Sequence, residues 1–181
     1  MQSKTVFLAF ARQNRDADQK VLAILDSHYY PAARQEANGS YYGSLEGAIK
    51  HILGGTLHFL GMFRAALKGN SAADSILAAL DSVGHPDEKP FDVTGWEQFK
   101  QALTKTDAVL VKLVEALNEN DFDAQVKVEW FGGNPATVPF GYLLSALASH
   151  GIHHRGQISQ VFDAAKIDND YSGINIAHVL G

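Results

Sequence analysis

The stretch "PFGYLLSALASHGIHHRGQISQVFDAA", Pro139 to Ala165, decides the fold. Phe140, Leu143, Leu147, Ile158, Val161 and Ala165 recur at helical steps, and His150 and His154 fall on the same stripe. With proline favoured in a first turn, the spacing predicts a long helix that starts near Pro139. Two imidazoles one turn apart place their Cβ atoms roughly 6 Å from each other, close enough to chelate one ion. The spacing alone is weak evidence, because an H-x-x-x-H pair arises readily by chance. Location adds weight, since an unpaired polar ring on an inward face costs roughly 1–3 kcal/mol and two adjacent ones require a partner.

Outward from this helix, the chain reads as further helices. Phe7, Phe10, Ala17, Val21 and Ile24 define one face of a helix from Lys4 to about Tyr30, closed by Pro31. Asn14 lies on that face and is expected to hydrogen-bond across to a neighbouring helix. A second helix opens near Ser44, a good N-cap, and runs to about Lys68, where "KGN" supplies a stop. "SAADSILAAL", Ser71 to Leu80, predicts a short helix, and "GHPDEKPFD" a loop. The third long helix is expected to begin with a capping box, Thr94-Gly95-Trp96-Glu97, and to bury Phe99, Leu103, Leu110, Leu113 and Leu117. In "AQVKVEWFGGNPATVPF" the period changes to two, with Val126, Val128 and Trp130 alternating against Lys127 and Glu129, which predicts a small hairpin before the last helix. No composition break divides residues 1–181, so we expect a single all-α domain built as a four-helix bundle.

On the second helix the inward face reads Leu45, Ala48, Ile52, Gly55, Phe59 and Met62. His51 lies about 40° from Gly55 on the helical wheel, inside this stripe, whereas His58 lies about 60° out. His51 is thus the natural third member of a cluster with His150 and His154, and three neutral imidazoles leave a fourth position on an ion for water or substrate. The other reading is that each ring hydrogen-bonds to a carbonyl or a neighbouring side chain. His153 sits about 80° from the stripe centre, at the surface or in an outer layer. Gly54, Gly55 and Ala48 remove bulk around His51, for an ion or for close helix packing.

Composition excludes several classes of function. A formal charge of -5 without a Lys/Arg cluster argues against nucleic-acid binding. No cysteine is present, so the chain has neither a disulfide nor a thiolate of its own. Six consecutive apolar residues before Arg12 are too few for a signal-peptide core or a membrane span, and a cytoplasmic protein without membrane contact is expected.

"ALASHGIHHRGQISQVFDAAKID", Ala146 to Asp168, resembles the C-terminal signature of the DinB/YfiT-like metalloenzymes, an H-x-x-x-H helix followed by R-G-Q. "KHILGGTLHFLGMF" is similar to that family's second-helix motif, and "FARQNRDADQKVL" to its first helix, Asn14 included. The resemblance implies an up-down-down-up four-helix bundle, often a homodimer, with a divalent ion held by His51, His150 and His154. An apolar residue stands in the family's pattern where this chain has His58, which leaves a fourth imidazole near the site open. Arg155 and Gln157 match the motif and, with His58 and His153, are candidates for an outer layer. Three imidazoles suit zinc or nickel first, and iron or copper as well. Characterised relatives include enzymes that transfer or isomerise with low-molecular-weight thiols, so one activity the resemblance implies is a metal-dependent S-transferase acting on a small molecule. The alternatives are a non-catalytic metal-binding stress-response protein and a metal-dependent hydrolase, and the absence of HExxH leaves peptidase chemistry little support.

Overall fold

Ser44 and Asp92 set where two of the long helices begin. The Ser44 hydroxyl accepts a hydrogen bond from the Gly47 amide at 3.0 Å, and Gly43, at φ 77°, supplies the left-handed turn just before it. The helix that follows, Leu45–Ala66, buries Ile49, Ile52, Leu53, Leu60 and Phe63. The capping box expected at Thr94 does not form. The Asp92 carboxylate caps the helix Val93–Ala116 through the Gly95 amide at 2.7 Å, while Glu97 turns outward to pair with Lys100 at 2.8 Å. A carboxylate two residues upstream is the better acceptor, because its charge also favours the positive end of the helix.

A computed structural model describes residues 2–129, 133–171 and 173–180. In chain order the elements are α1 (Ser3–His28), α2 (Pro31–Gln35), α3 (Leu45–Ala66), α4 (Ser71–Leu77) with a 3-10 turn over Ala78–Leu80, and α5 (Val93–Ala116). A second 3-10 turn (Glu119–Asp123), strands β1 (Gln125–Glu129) and β2 (Pro135–Pro139), α6 (Phe140–Ala164) and α7 (Ile176–Leu180) follow. Pro31 opens α2 as well as ending the α1 segment, and Pro139 closes β2 and caps α6 from outside its first turn. The strands pair antiparallel, Val126 opposite Val138 and Val128 opposite Ala136, with both valines of β1 buried. Trp130 and Gly132, expected in the hairpin and its turn, lie outside the described residues.

Side-chain contacts fix the direction of each long helix. Asp26 of α1 accepts from Trp96 of α5 at 2.6 Å and Lys4 reaches the Leu117 carbonyl at 2.9 Å, so α1 and α5 are antiparallel. Phe7 lies against Gly141 and Asp18 against Arg155, so α1 and α6 are parallel. Phe63 meets Phe140 with ring centroids 4.9 Å apart while His51 meets His154, so α3 and α6 are antiparallel. The long helices α1, α3, α5 and α6 therefore run up, down, down, up in an all-α bundle. No described helix is long and apolar enough to cross a membrane.

The core falls into two apolar clusters. One contains Leu60, Phe63, Leu113, Phe140 and Leu147, the other Val21, Ile52, Leu53, Leu103 and Phe162. Between them in α1, α5 and α6 lies a polar layer, Asn14 and Asp18, Asp107, and His150 with His154 and Arg155, and His51 of α3 points to it. Dividing a core with polar groups is costly unless they satisfy one another, and the site is built from this layer.

Candidate metal centre

His51 points from α3 towards His150 and His154 of α6. Its Nε2 lies 3.0 Å from His150 Nε2 and 3.1 Å from His154 Nε2, and one ligand atom from each of the three residues falls within 4.8 Å of the others. His154 is buried, and His51 and His150 are half-buried. Tetrahedral coordination with metal–nitrogen bonds of about 2.0–2.1 Å sets ligand nitrogens roughly 3.3 Å apart, near the observed spacing. A neutral imidazole carries one N–H, so as a donor His51 Nε2 serves one neighbour only, and as an acceptor it faces the lone pair that His154 Nε2 presents while His154 Nδ1 bonds Gln157. A cation satisfies all three nitrogens at once, so the donor set fits a metal ion.

The surroundings are shaped for the same constellation. The Gln157 amide oxygen accepts from His154 Nδ1 at 2.8 Å, which fixes the tautomer with the Nε2 lone pair facing inward. Gly55 is required by space: a Cβ there would enter the His150 ring, 2.7 Å from its Nε2. Tyr42, from the loop before α3, stacks on His51 with centroids 4.1 Å apart and planes 20° apart, and meets His154 edge-on at 5.3 Å. Sequence reasoning missed Tyr42, because a loop residue has no periodicity to mark it.

The remaining candidates occupy separate places. His153 is exposed, its ring 4.8 Å from that of His154. His58 is exposed and meets Phe59 edge-on, outside the three-histidine group. Arg155 points away from the imidazoles into the layer behind them. Its Nη1 donates to Asn14 at 2.8 Å and to Asp18 at 2.9 Å, and Asn14 in turn donates to Asp107 at 3.1 Å. Gly151 makes room for this network, since a Cβ there would stand 2.6 Å from the Asn14 oxygen. Burial raises the pKa of Asp18 against the opposing pull of Arg155, and raises that of Asp107 well above the carboxylate range, with the charge of Asp18 adding to it. One guanidinium thus faces two buried carboxyls, with Asp18 in direct contact and Asp107, behind Asn14, pushed the more strongly towards its protonated form.

The three histidines are held neutral. Burial, reinforced by the neighbouring imidazoles and Arg155, lowers His150 to about 4. His51 is lowered by burial and then by His154, and His154 by burial and His153 against the Gln157 hydrogen bond. Neutral rings are what a cation needs as ligands. In the metal-free protein a folded pKa below the unfolded 6.5 gives stability that is present above pH 6.5 and lost as pH falls towards 4. We expect His150→Gln to lose less stability than wild type between pH 7 and pH 5, measured as urea midpoints in the presence of a chelator. Equal losses would show that His150 does not carry the effect.

Two openings reach the three histidines. A cavity of about 510 Å³ is lined by Tyr42, Lys50, His51, Gly54 and His85. A second, of about 700 Å³, is lined by Phe59, Tyr142, Ser149, His150, His153 and His154.

A model of the DinB family matches residues 1–165. The chain belongs to the DinB family. No curated protein and no solved structure matches it. The DinB match ends near the last turn of α6, and the segment beyond it is fastened back onto the DinB bundle. Gln13 donates to the Tyr171 carbonyl at 3.1 Å and Arg12 to the His178 carbonyl at 3.2 Å. As a DinB protein with three clustered histidines, the chain has a donor set that can hold a metal ion.

Proposed function

We propose that this DinB protein is a divalent-metal-dependent enzyme that joins a low-molecular-weight thiol to a second small molecule, with His51, His150 and His154 holding the ion. The observation that carries the reading is that two cavities open on the three-histidine cluster from different sides, one lined by His51 and the other by His150 and His154. A transferase has two substrates to bring together, and two openings suit that better than a structural staple. A divalent ion on neutral ligands keeps its positive charge and favours the thiolate form of a thiol at neutral pH.

The chain's own residues bind and orient. Gln157 holds His154 in the tautomer that presents Nε2, and Tyr42 lies flat on His51 and limits water on that side. Among the described residues, the groove at His150 and His154 is lined by no carboxylate. Glu46, Asp87 and Glu88 line the other opening, at His51, so the groove at His150 and His154 is the one that suits a thiol, which needs only to be ionised and no base beside it. Zinc or nickel suits three imidazoles best, with iron or copper as alternatives.

The test is thiol conjugation. Zinc-loaded and nickel-loaded protein should accelerate addition of 2-mercaptoethanol to a panel of electrophiles, and His150→Ala should fall to the uncatalysed rate. Equal rates for the two proteins would remove the reading. A large drop in melting temperature on chelation, without any catalysed conjugation, would favour the ion as a staple between α3 and α6.

A further inference from the structure

Beside the His51 cavity lies a larger one that the three histidines do not use. It measures about 750 Å³ and runs beneath the loop 82–92 to the N-terminal half of α5. Leu53, Phe91, Phe99 and Ala102 give it an apolar side, and Gln98 and Gln101 with the charged Asp87, Lys89, Asp92 and Lys105 give it a polar one. Its size, and an aromatic and aliphatic side facing polar groups, are those of a site for a small molecule with an apolar body and a polar substituent. His85, Pro86, Asp87 and Pro90 line both cavities, so the cleft continues to His51.

The wall that carries this cleft is fastened by a buried ion pair. Lys50 and Glu46 of α3 meet at 2.9 Å, and both are buried. Glu46 also accepts from the Phe91 amide at 2.9 Å, Lys50 donates to the Lys89 carbonyl, and the Lys50 ammonium sits 3.8 Å from the centre of the Phe91 ring. Gln35 donates to the Phe91 carbonyl at 2.9 Å. A buried pair devoted to holding a loop makes the cleft a formed feature.

His85 stands at the junction. It is exposed, and its side chain makes no hydrogen bond among the described residues. It faces Gly54, where a Cβ would lie 3.9 Å from His85 Nδ1 and meet nothing else nearby. Gly55 is required by His150, but Gly54 has no such neighbour, and its effect is to leave space between α3 and His85.

We propose that this cleft seats the flat apolar body of the acceptor molecule, and that His85 hydrogen-bonds the polar group which the acceptor turns towards the three histidines. The assignment rests on the two-substrate reading above, with the thiol entering by the other groove. Phe91 and Phe99 supply aromatic surface for a planar ring, and His85 supplies a polar contact between that ring and the histidines.

The test uses the zinc-loaded full chain with 1-naphthol and naphthalene as probes. In wild type, 1-naphthol should shift the backbone amides of Val83, Phe91 and Gly95. Ala102→Trp should weaken it at least tenfold by filling the cleft. His85→Ala should weaken 1-naphthol about fivefold, the worth of one hydrogen bond, and leave naphthalene unchanged. The assignment is overturned if amides of the cleft do not move in wild type, a measurement that needs no variant to fold, or if His85→Ala weakens both probes alike. Cobalt-substituted protein titrated with 2-mercaptoethanol separates the two readings. A thiolate-to-cobalt absorption band without naphthol-induced shifts sinks the cleft alone, and shifts without the band leave naphthol binding in place and sink the thiol reading.

Discussion

Replacing His51, His150 or His154 with alanine should each lower affinity for zinc or nickel by more than a hundredfold, read by competition with a chromophoric chelator. A structural zinc site is worth about 10–16 kcal/mol in total, so one of three protein ligands carries on the order of 3 kcal/mol. The nitrogens sit 3.0 and 3.1 Å apart across α3 and α6, and no other described group of three or more potential ligands stands so close. His58→Ala and His153→Ala should retain the metal, since both side chains are exposed and outside the cluster. Gln157→Ala should weaken binding about 10- to 100-fold, the usual cost of losing the partner that orients a ligating imidazole. Wild-type affinity in His51→Ala, or loss of metal in His58→Ala, would sink the assignment.

Arg155→Met should destabilise the fold by about 3–5 kcal/mol in urea unfolding at pH 7, because it leaves the Asp18 carboxylate buried without its counterion. Asp107→Asn should change stability by only about 1 kcal/mol, since burial and Asp18 push the Asp107 carboxyl towards its protonated form and an amide has nearly its shape. The loss in Arg155→Met should also shrink with acid. Without Arg155, Asp18 has a folded pKa further above its unfolded value, so the penalty is full where the unfolded carboxyl ionises and fades as pH falls. Comparable losses in the two variants would mean that Arg155 and Asp107 do not carry the unequal charges assigned to them.

The helix stripes placed the four long helices within a few residues, because burying an apolar face imposes a period that is visible in one dimension. The same stripes exposed His51, His150 and His154, which interrupt them, and Asn14, which reaches Asp107 across the bundle as expected. Asp107 was equally available on the α5 stripe, four residues after Leu103 and three before Leu110, and the spacing could have marked it. The capping box at Thr94 misled because cap preference is local and two acceptors stood two residues apart. Only the chain's path showed that Asp92 reaches the first turn.

What the sequence determined alone was periodic: an all-α bundle, a hairpin before the last helix, and three imidazoles on inward faces. What only the tertiary structure decided was which groups meet when α3 and α6 pack in opposite directions. Helical spacing fixes a residue's angle about its own axis and says nothing about axial offset between two helices. That offset brings His51 level with His150 and His154, turns Arg155 to Asp18, and leaves His58 outside. Tyr42 and His85 come from loops whose paths no period describes. Their places beside His51 and Gly54 exist only because tertiary contacts, the bonds of Glu46 to Phe91 and of Lys50 to Lys89 among them, fold those loops back onto α3.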